Sequence, residues 1–179
     1  MRYLQLQGSS EGVLLSRRVL ITGSRDWADR QAVWLALNHE MGHEEARHDG
    51  LLVIHGDCPT GADRFAHEWY LMQASKWVRE KAMPADWNRD CTGQCHHKPR
   101  FKNGKQYCPV AGHLRNQAMV DFGADVCLAF PLEDSRGTQD CMKRAKRAQI
   151  PVRNLGWGGE RCLPNIGYHS EPHRGCILR

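Results

Sequence analysis

Short apolar runs alternate along the chain with stretches of helical periodicity. Arg18–Thr22, Leu51–His55, Trp77–Met83 and Asp125–Phe130 read as strands, and Pro151–Val152 opens a short fifth. The Asp125–Phe130 run is almost wholly apolar, which places it inside a sheet covered on both faces. Val33, Leu37 and Met41 recur at helical spacing and predict a helix from about Trp27 to Met41. Ala62, Phe65, Ala66, Trp69 and Met72 mark a second helix, Leu114, Ala118 and Phe122 a third, and Cys141, Ala145 and Ala148 a fourth. Strands alternating with helices predict right-handed crossovers and an α/β fold: a doubly wound, mostly parallel sheet.

Three stretches escape the pattern. Residues 1–16 read as an N-terminal extension with room for a short edge strand. Residues 87–112 form an unpatterned insert within a domain spanning 17–154, and 155–179 form an irregular tail rich in Gly, Pro, His and Cys. His39, His43 and His48 fall at a helix end and in the loop after it, and are expected to face solvent.

With 179 residues, 41% of them hydrophobic and 25% charged, the chain suits one globular domain. No apolar run reaches membrane-spanning length and no signal-peptide pattern opens the chain, so no membrane partner and a cytoplasmic location are expected. The formal charge of +5 and pI of about 8.8 suit an anionic ligand, although ordinary surface lysine and arginine account for them more simply. Lys143–Arg147 reads as a solvated helix face, because a nucleic-acid footprint needs a broader stripe with interleaved aromatics.

The strands end in small-residue turns that precede helices, which is how a parallel sheet presents amides to an anion. Gly23, Ser24, Arg25 and Asp26 form the first turn. Gly56, Asp57, Gly61, Ala62 and Asp63 form the second, where Asp63 suits either a cap in the first helical turn or a contact to a ribose hydroxyl. Arg115 and Asn116 open a helix expected to point at the same cleft, and Gly137 with Thr138 forms another helix start. These residues are the candidate ligand-binding set. Catalytic residues are not assigned.

Eight cysteines in a reducing compartment suggest metal before disulfide. Cys91, Cys95 and Cys108, with His97, supply a tetrahedral donor set for a structural zinc inside the insert. His97 rather than His96 is the expected fourth ligand, since His96 directly follows Cys95 and has less freedom to reach back. A metal would supply the cross-link that this polar insert lacks. Cys162, His169, His173 and Cys176 permit a second metal with looser bracketing. Cys127 and Cys141 lie on buried patterns and read as core; Cys58 reads as a small filler in the second turn, with reactivity left open.

Gly-Ser-Arg-Asp, His-Gly-x-x-Pro-x-Gly-Ala-Asp, Pro-Ala-Asp-Trp, Arg-Asn-x-x-Met-Val and Gly-Ala-Asp-x-x-Leu-Ala-Phe with Gly-Thr occur in that order between Arg18 and Val152. Together they resemble the SLOG superfamily, and within it the YspA-like/YAcAr branch of bacteria and phages. The resemblance implies a Rossmann-like fold and binding of a nucleotide or nucleotide-derived small molecule, for sensing or sequestration, with a role in phage–host conflict and a host-cytoplasmic location if phage-encoded. More distant relatives include the Lonely Guy phosphoribohydrolases and DNA-processing protein A. The first implies an alternative, a nucleotide N-glycosidase or phosphoribohydrolase-like enzyme in which Asp57 or Asp63 holds the attacking water; the second implies single-stranded DNA binding. The phosphoribohydrolase signature Pro-Gly-Gly-x-Gly-Thr-x-x-Glu is only partly present. Arg115 matches the binding arginine of that family, but Cys141 stands where its glutamate would be. Relatives often pair, so a homo-oligomer is also permitted.

Overall fold

The computed structural model of the protein describes residues 16–91, 95–98 and 100–156. The expected extension before Ser16 and the tail group Cys162, His169, His173 and Cys176 lie outside the described residues. Along the chain run β1 (Arg17–Gly23), α1 (Arg30–Met41), α2 (Glu44–Asp49), β2 (Leu51–His55), α3 (Gly61–Met72) and β3 (Val78–Ala82). They are followed by β4 (Arg100–Lys102), β5 (Lys105–Tyr107), α4 (Ala111–Phe122), β6 (Val126–Phe130), α5 (Arg136–Arg147) and β7 (Val152–Asn154).

Five of the strands form one sheet in the order β3-β2-β1-β6-β7, and each neighbouring pair is parallel. Alternation along β1 divides the core. Val19 and Ile21 join Val33, Leu37, Ala66 and Trp69 from α1 and α3 on one face. Leu20 joins Met119, Val120, Cys141 and Ala145 from α4 and α5 on the other. The fold is therefore the doubly wound, Rossmann-like α/β arrangement the periodicity predicts. The order of strands reverses between β1 and β6, so their carboxyl ends frame a crevice.

The departures from expectation have local causes. Helix α1 starts at Arg30 rather than Trp27, because Asp29 caps it: its Oδ1 accepts the Ala32 N–H at 3.0 Å. Trp27 is instead core, tilted against Phe130 with ring centroids 5.5 Å apart. Helix α4 exists as predicted but buries Ala111, Asn116, Met119 and Val120, leaving Leu114, Ala118 and Phe122 exposed. Met72 and Ala148 are also exposed. The insert carries an antiparallel hairpin, β4–β5, turned by Asn103 (φ 51°) and Gly104 (φ 75°). Asn-Gly is the residue pair that a two-residue type I′ turn favours.

His39 and His43 are only partly exposed, rather than facing solvent as expected. They flank Glu40, whose carboxylate is fully buried at the end of α1. Arg17 on β1 reaches one carboxylate oxygen at 2.6 Å, and Arg153 on β7 reaches the other at 2.6 Å. Burial and the Arg17 charge lower the His43 pKa, favouring the neutral ring. His48 alone of the three is exposed. The Arg17–Glu40–Arg153 bridge fastens α1 to two strands, and removing the anion would leave two opposing cations partly desolvated. Glu40→Gln is expected to cost about 2–4 kcal/mol, seen as a lower urea midpoint at unchanged m-value.

Candidate functional site

The rim of the crevice is held by backbone contacts centred on Ser24. Its N–H donates to the Phe130 carbonyl at 3.0 Å, joining the ends of β1 and β6. Its carbonyl accepts from Trp27 at 3.2 Å and Ala62 at 3.4 Å, and its hydroxyl accepts the Asp26 N–H at 3.2 Å. Ser24 thus spends its amide inside the protein rather than offering it to a ligand. Gly61 has φ 73°, and a Cβ there would collide with the Ser24 carbonyl and lie 2.7 Å from the Arg25 Cα. That close approach of two turns accounts for the glycine.

Arg115 extends from α4 across the top of the sheet. Its guanidinium donates to the Gly56 carbonyl, contacts Cys58 Sγ at 3.9 Å and lies 3.9 Å from Asp63. A Cβ on Gly56 would coincide with that guanidinium. Asp63 is buried, and its Oδ2 accepts the Cys58 N–H at 3.3 Å, closing the loop before α3. Burial, with help from the Asp63 charge, pushes the Cys58 thiol up and keeps it protonated. Asp57 sits at φ 53°, exposed, its N–H donated to His55 Nδ1 at 3.1 Å.

The crevice is an open cleft of about 1010 Å³. Gly23, Ser24, Arg25, Asp26, Asp63, Arg115, Asn116, Gly137 and Thr138 line it, whereas Gly56, Asp57, Gly61 and Ala62 do not. Those four shape or support the loop behind the wall. Asn116 is mostly spent on bracing, with Nδ2 donating to the Gly137 carbonyl at 3.0 Å and to Asp140 at 3.1 Å. Gly137 and Thr138 occupy the first turn of α5, where helical geometry leaves amides without intrahelical acceptors. Cys141, at the position of the absent glutamate, is fully buried, and burial raises its pKa to about 11. It packs as a core thiol, as does Cys127.

Trp87, His113 and Arg136 are among the lining residues that lie outside the expected set. Trp87 closes the Pro-Ala-Asp-Trp motif, His113 precedes Arg115 by two residues, and Arg136 directly precedes Gly137. His113 Nδ1 lies 3.0 Å from Asp140 Oδ2. Burial alone would raise the Asp140 carboxyl. Hydrogen bonds from Arg144, His113 and Asn116 outweigh it and hold the pKa at about 2.

The insert brings together Cys91, Cys95, His97 and Cys108, with one donor atom from each lying within 4.8 Å of the others. His97 Nε2 is 3.5 Å from Cys91 Sγ and 3.7 Å from Cys108 Sγ. A tetrahedral centre with ordinary zinc–sulfur and zinc–nitrogen bonds separates such atoms by about 3.6 Å. His97 Nδ1 donates to the Lys98 carbonyl at 2.9 Å, which raises the basicity of the ring and turns the Nε2 lone pair to the sulfurs. Burial pushes Cys91 up to about 11, with the Cys108 sulfur adding to it. Burial also opposes the Cys108 thiolate, but the His97 hydrogen bond, the Val110 amide and the other two sulfurs bring its pKa down to about 7. The four residues could therefore hold a metal ion.

In two other donor groups the carboxylate is already engaged. Glu40, between His39 and His43, is held by two arginines. In the His55, His67 and Glu80 group, His55 Nδ1 accepts the Asp57 amide, so Nε2 carries the proton and donates to Glu80 at 2.7 Å.

A carboxyl held below its unfolded pKa of about 3.9 adds stability that is whole above that value and is lost as pH falls through about 2. Asp140→Asn is therefore expected to flatten the acid-unfolding curve between about pH 4 and 2, as followed by circular dichroism.

Residues 17–89 match the family model described as YspA, cpYpsA-related SLOG family (YAcAr). "Gene 61 protein" of Mycobacterium phage D29 is 44% identical over 141 residues, covering 78% of this chain and 97% of that protein. The solved Moco Carrier Protein from Chlamydomonas reinhardtii aligns with a TM-score of 0.40 at 16% identity, over 76% of this chain and 74% of that one. No helix among the described residues is long and apolar enough to cross a membrane. With its strand-end turns meeting at one crevice and a phage relative matched across nearly its whole length, the chain belongs to the YspA, cpYpsA-related SLOG family.

Proposed function

We propose that the cleft binds a nucleotide or nucleotide-derived small molecule for sensing or sequestration, in the cytoplasm of a phage-infected host. One observation carries this reading: Arg25, Arg115 and Arg136 line the same cleft as the first turn of α5, at the point where the strand order reverses. Guanidinium groups and helix-start amides suit phosphate oxygens. Arg25 and Arg136 are exposed, whereas Arg115 is largely engaged with the protein. Arg25 and Arg136 therefore do most of the direct charge pairing, and Arg115 sets the shape of the wall.

A second reading is N-glycosidic hydrolysis of the bound nucleotide. The His113–Asp140 pair favours it, since engagement of Nδ1 leaves Nε2 as the basic atom of a ring that lines the cleft. Asp57, exposed and away from the cleft, and Asp63, already engaged, are poorly placed to hold a water there.

We infer that the metal is zinc. Three thiolates with one imidazole, all from protein, make a closed tetrahedral set, and that composition suits a structural role. Such an ion would cross-link a segment whose hairpin is exposed on every described residue except Tyr107.

Purified protein incubated with nucleoside monophosphates and dinucleotides is expected to return them intact by mass spectrometry, with measurable affinity by calorimetry. Arg25→Ala should weaken binding about tenfold or more. Released free base would favour the hydrolase. Failure of every phosphate-bearing probe to bind, alongside tight oligonucleotide binding with steep salt dependence, would favour the DNA reading. Elemental analysis is expected to find one zinc per chain, lost in Cys91→Ser and Cys108→Ser; zinc-free parent protein would defeat the assignment.

A further inference from the structure

Trp87 lies at the junction of the cleft and the metal cluster. It lines the cleft with 36% of its surface exposed, an unusual position for the bulkiest side chain. Its carbonyl accepts the Cys108 N–H at 2.8 Å, so the chain entering the insert is tied directly to its last metal-donor residue. Its ring edge lies against Gly112, where a Cβ would stand only 3.2 Å from Cη2. The Arg25 guanidinium sits over the indole, 5.7 Å from the ring centroid. An aromatic ring and a cation lying over it therefore share the same wall.

We propose that Trp87 is a stacking platform for a planar ring of the ligand, and that the Cys91, Cys95, His97 and Cys108 cluster, loaded with metal, holds that platform in place. The proposal rests on the reading above of a nucleotide-derived guest and a zinc-loaded insert, and names the subsite that takes the base. Arg25 suits the phosphate and Trp87 the ring. A base stacked on an indole gains affinity whatever its hydrogen-bonding edge, so this subsite selects for a flat ring rather than for one base.

The coupling to the metal follows from connectivity. Between Trp87 and Cys108, β4 and β5 are exposed, and no described residue of that stretch before Cys108 is fully buried. Apolar burial there is too slight to fix where Cys108 lies. The four donors are the cross-link available to do so, and Cys108 in turn holds the Trp87 backbone. Pro109, Gly112 and His113 follow Cys108 along the same cleft wall. Loss of the ion frees this wall, whereas the turn at Ser24 and the start of α5 are held by separate contacts.

Two probes separate ring from phosphate: AMP, and ribose 5-phosphate, which lacks the base. Calorimetry is run on the zinc-loaded full chain, on Trp87→Ala and Trp87→Phe, and on protein stripped of zinc and then reloaded. Trp87→Ala is expected to lose about tenfold in AMP affinity and less than about twofold for ribose 5-phosphate, with Trp87→Phe recovering most of the loss. Zinc removal should reproduce the selective AMP loss at unchanged far-ultraviolet circular dichroism, and reloading should reverse it. AMP affinity unchanged in Trp87→Ala overturns the platform while leaving the phosphate reading intact. An equal loss for both probes, unrescued by phenylalanine, also overturns it. AMP affinity unchanged after zinc removal overturns the coupling. If the parent protein binds neither probe, the proposal and the reading beneath it fall together.

Discussion

One guanidinium ties the two layers of this protein together at the rim. Arg115 starts on α4, which packs on one face of the sheet, and ends against the Gly56 carbonyl, Cys58 and Asp63, which lead into α3 on the other. A charge so enclosed must keep its partners, because an unpaired buried guanidinium is costly. The loop between β2 and α3 is thus drawn toward α4, and Gly56 has no side chain because the guanidinium occupies that space. Gly61 permits the second close approach, of that same loop on the Ser24 turn. The form of the cleft floor follows from these two contacts.

The wall that carries Trp87 has a different origin. It is made by Trp87, Pro109 and Gly112, which flank an insert with little apolar burial. A sheet with helices on both faces supplies strand ends and helix starts, but no long wall beyond them. Here the insert supplies that wall, and its three thiols and imidazole could hold a metal ion in place of the core that so polar a segment cannot form. Cleft and cysteine–histidine cluster are adjacent because Cys108 joins them: its sulfur faces His97 and its amide holds Trp87.

Much of this was legible in the linear pattern, and the gaps have physical reasons. Apolar runs identify strands because each is buried on both faces, so β1, β2 and β6 were plain. Four of the five helices were equally plain. The short α2 reads as loop because six polar-rich residues carry no apolar periodicity, and the buried face of α4 was hidden because the polar Asn116 turns inward to brace α5. The β4–β5 hairpin carried its signal in Asn103-Gly104, masked by charged neighbours that no core selects. His39 and His43 looked solvent-facing because nothing local reveals that Arg17 and Arg153, far off in sequence, converge on Glu40.

The amino-acid order alone determined most of the strand-and-helix alternation, the turns at the strand ends and which cysteines and histidine gather into a group that could hold a metal, since each depends on spacing within a short segment. Tertiary structure decided which of those turn residues face the cleft and which merely shape it. Ser24, Gly56, Gly61 and Asn116 sit in the expected segments, yet their amides, missing side chains or carboxamides serve contacts across the fold. Such contacts join segments distant in sequence, and packing alone settles whether a polar group meets protein or ligand. The same reason explains Trp87, whose place in the cleft wall exists only once Cys108 has folded back beside it.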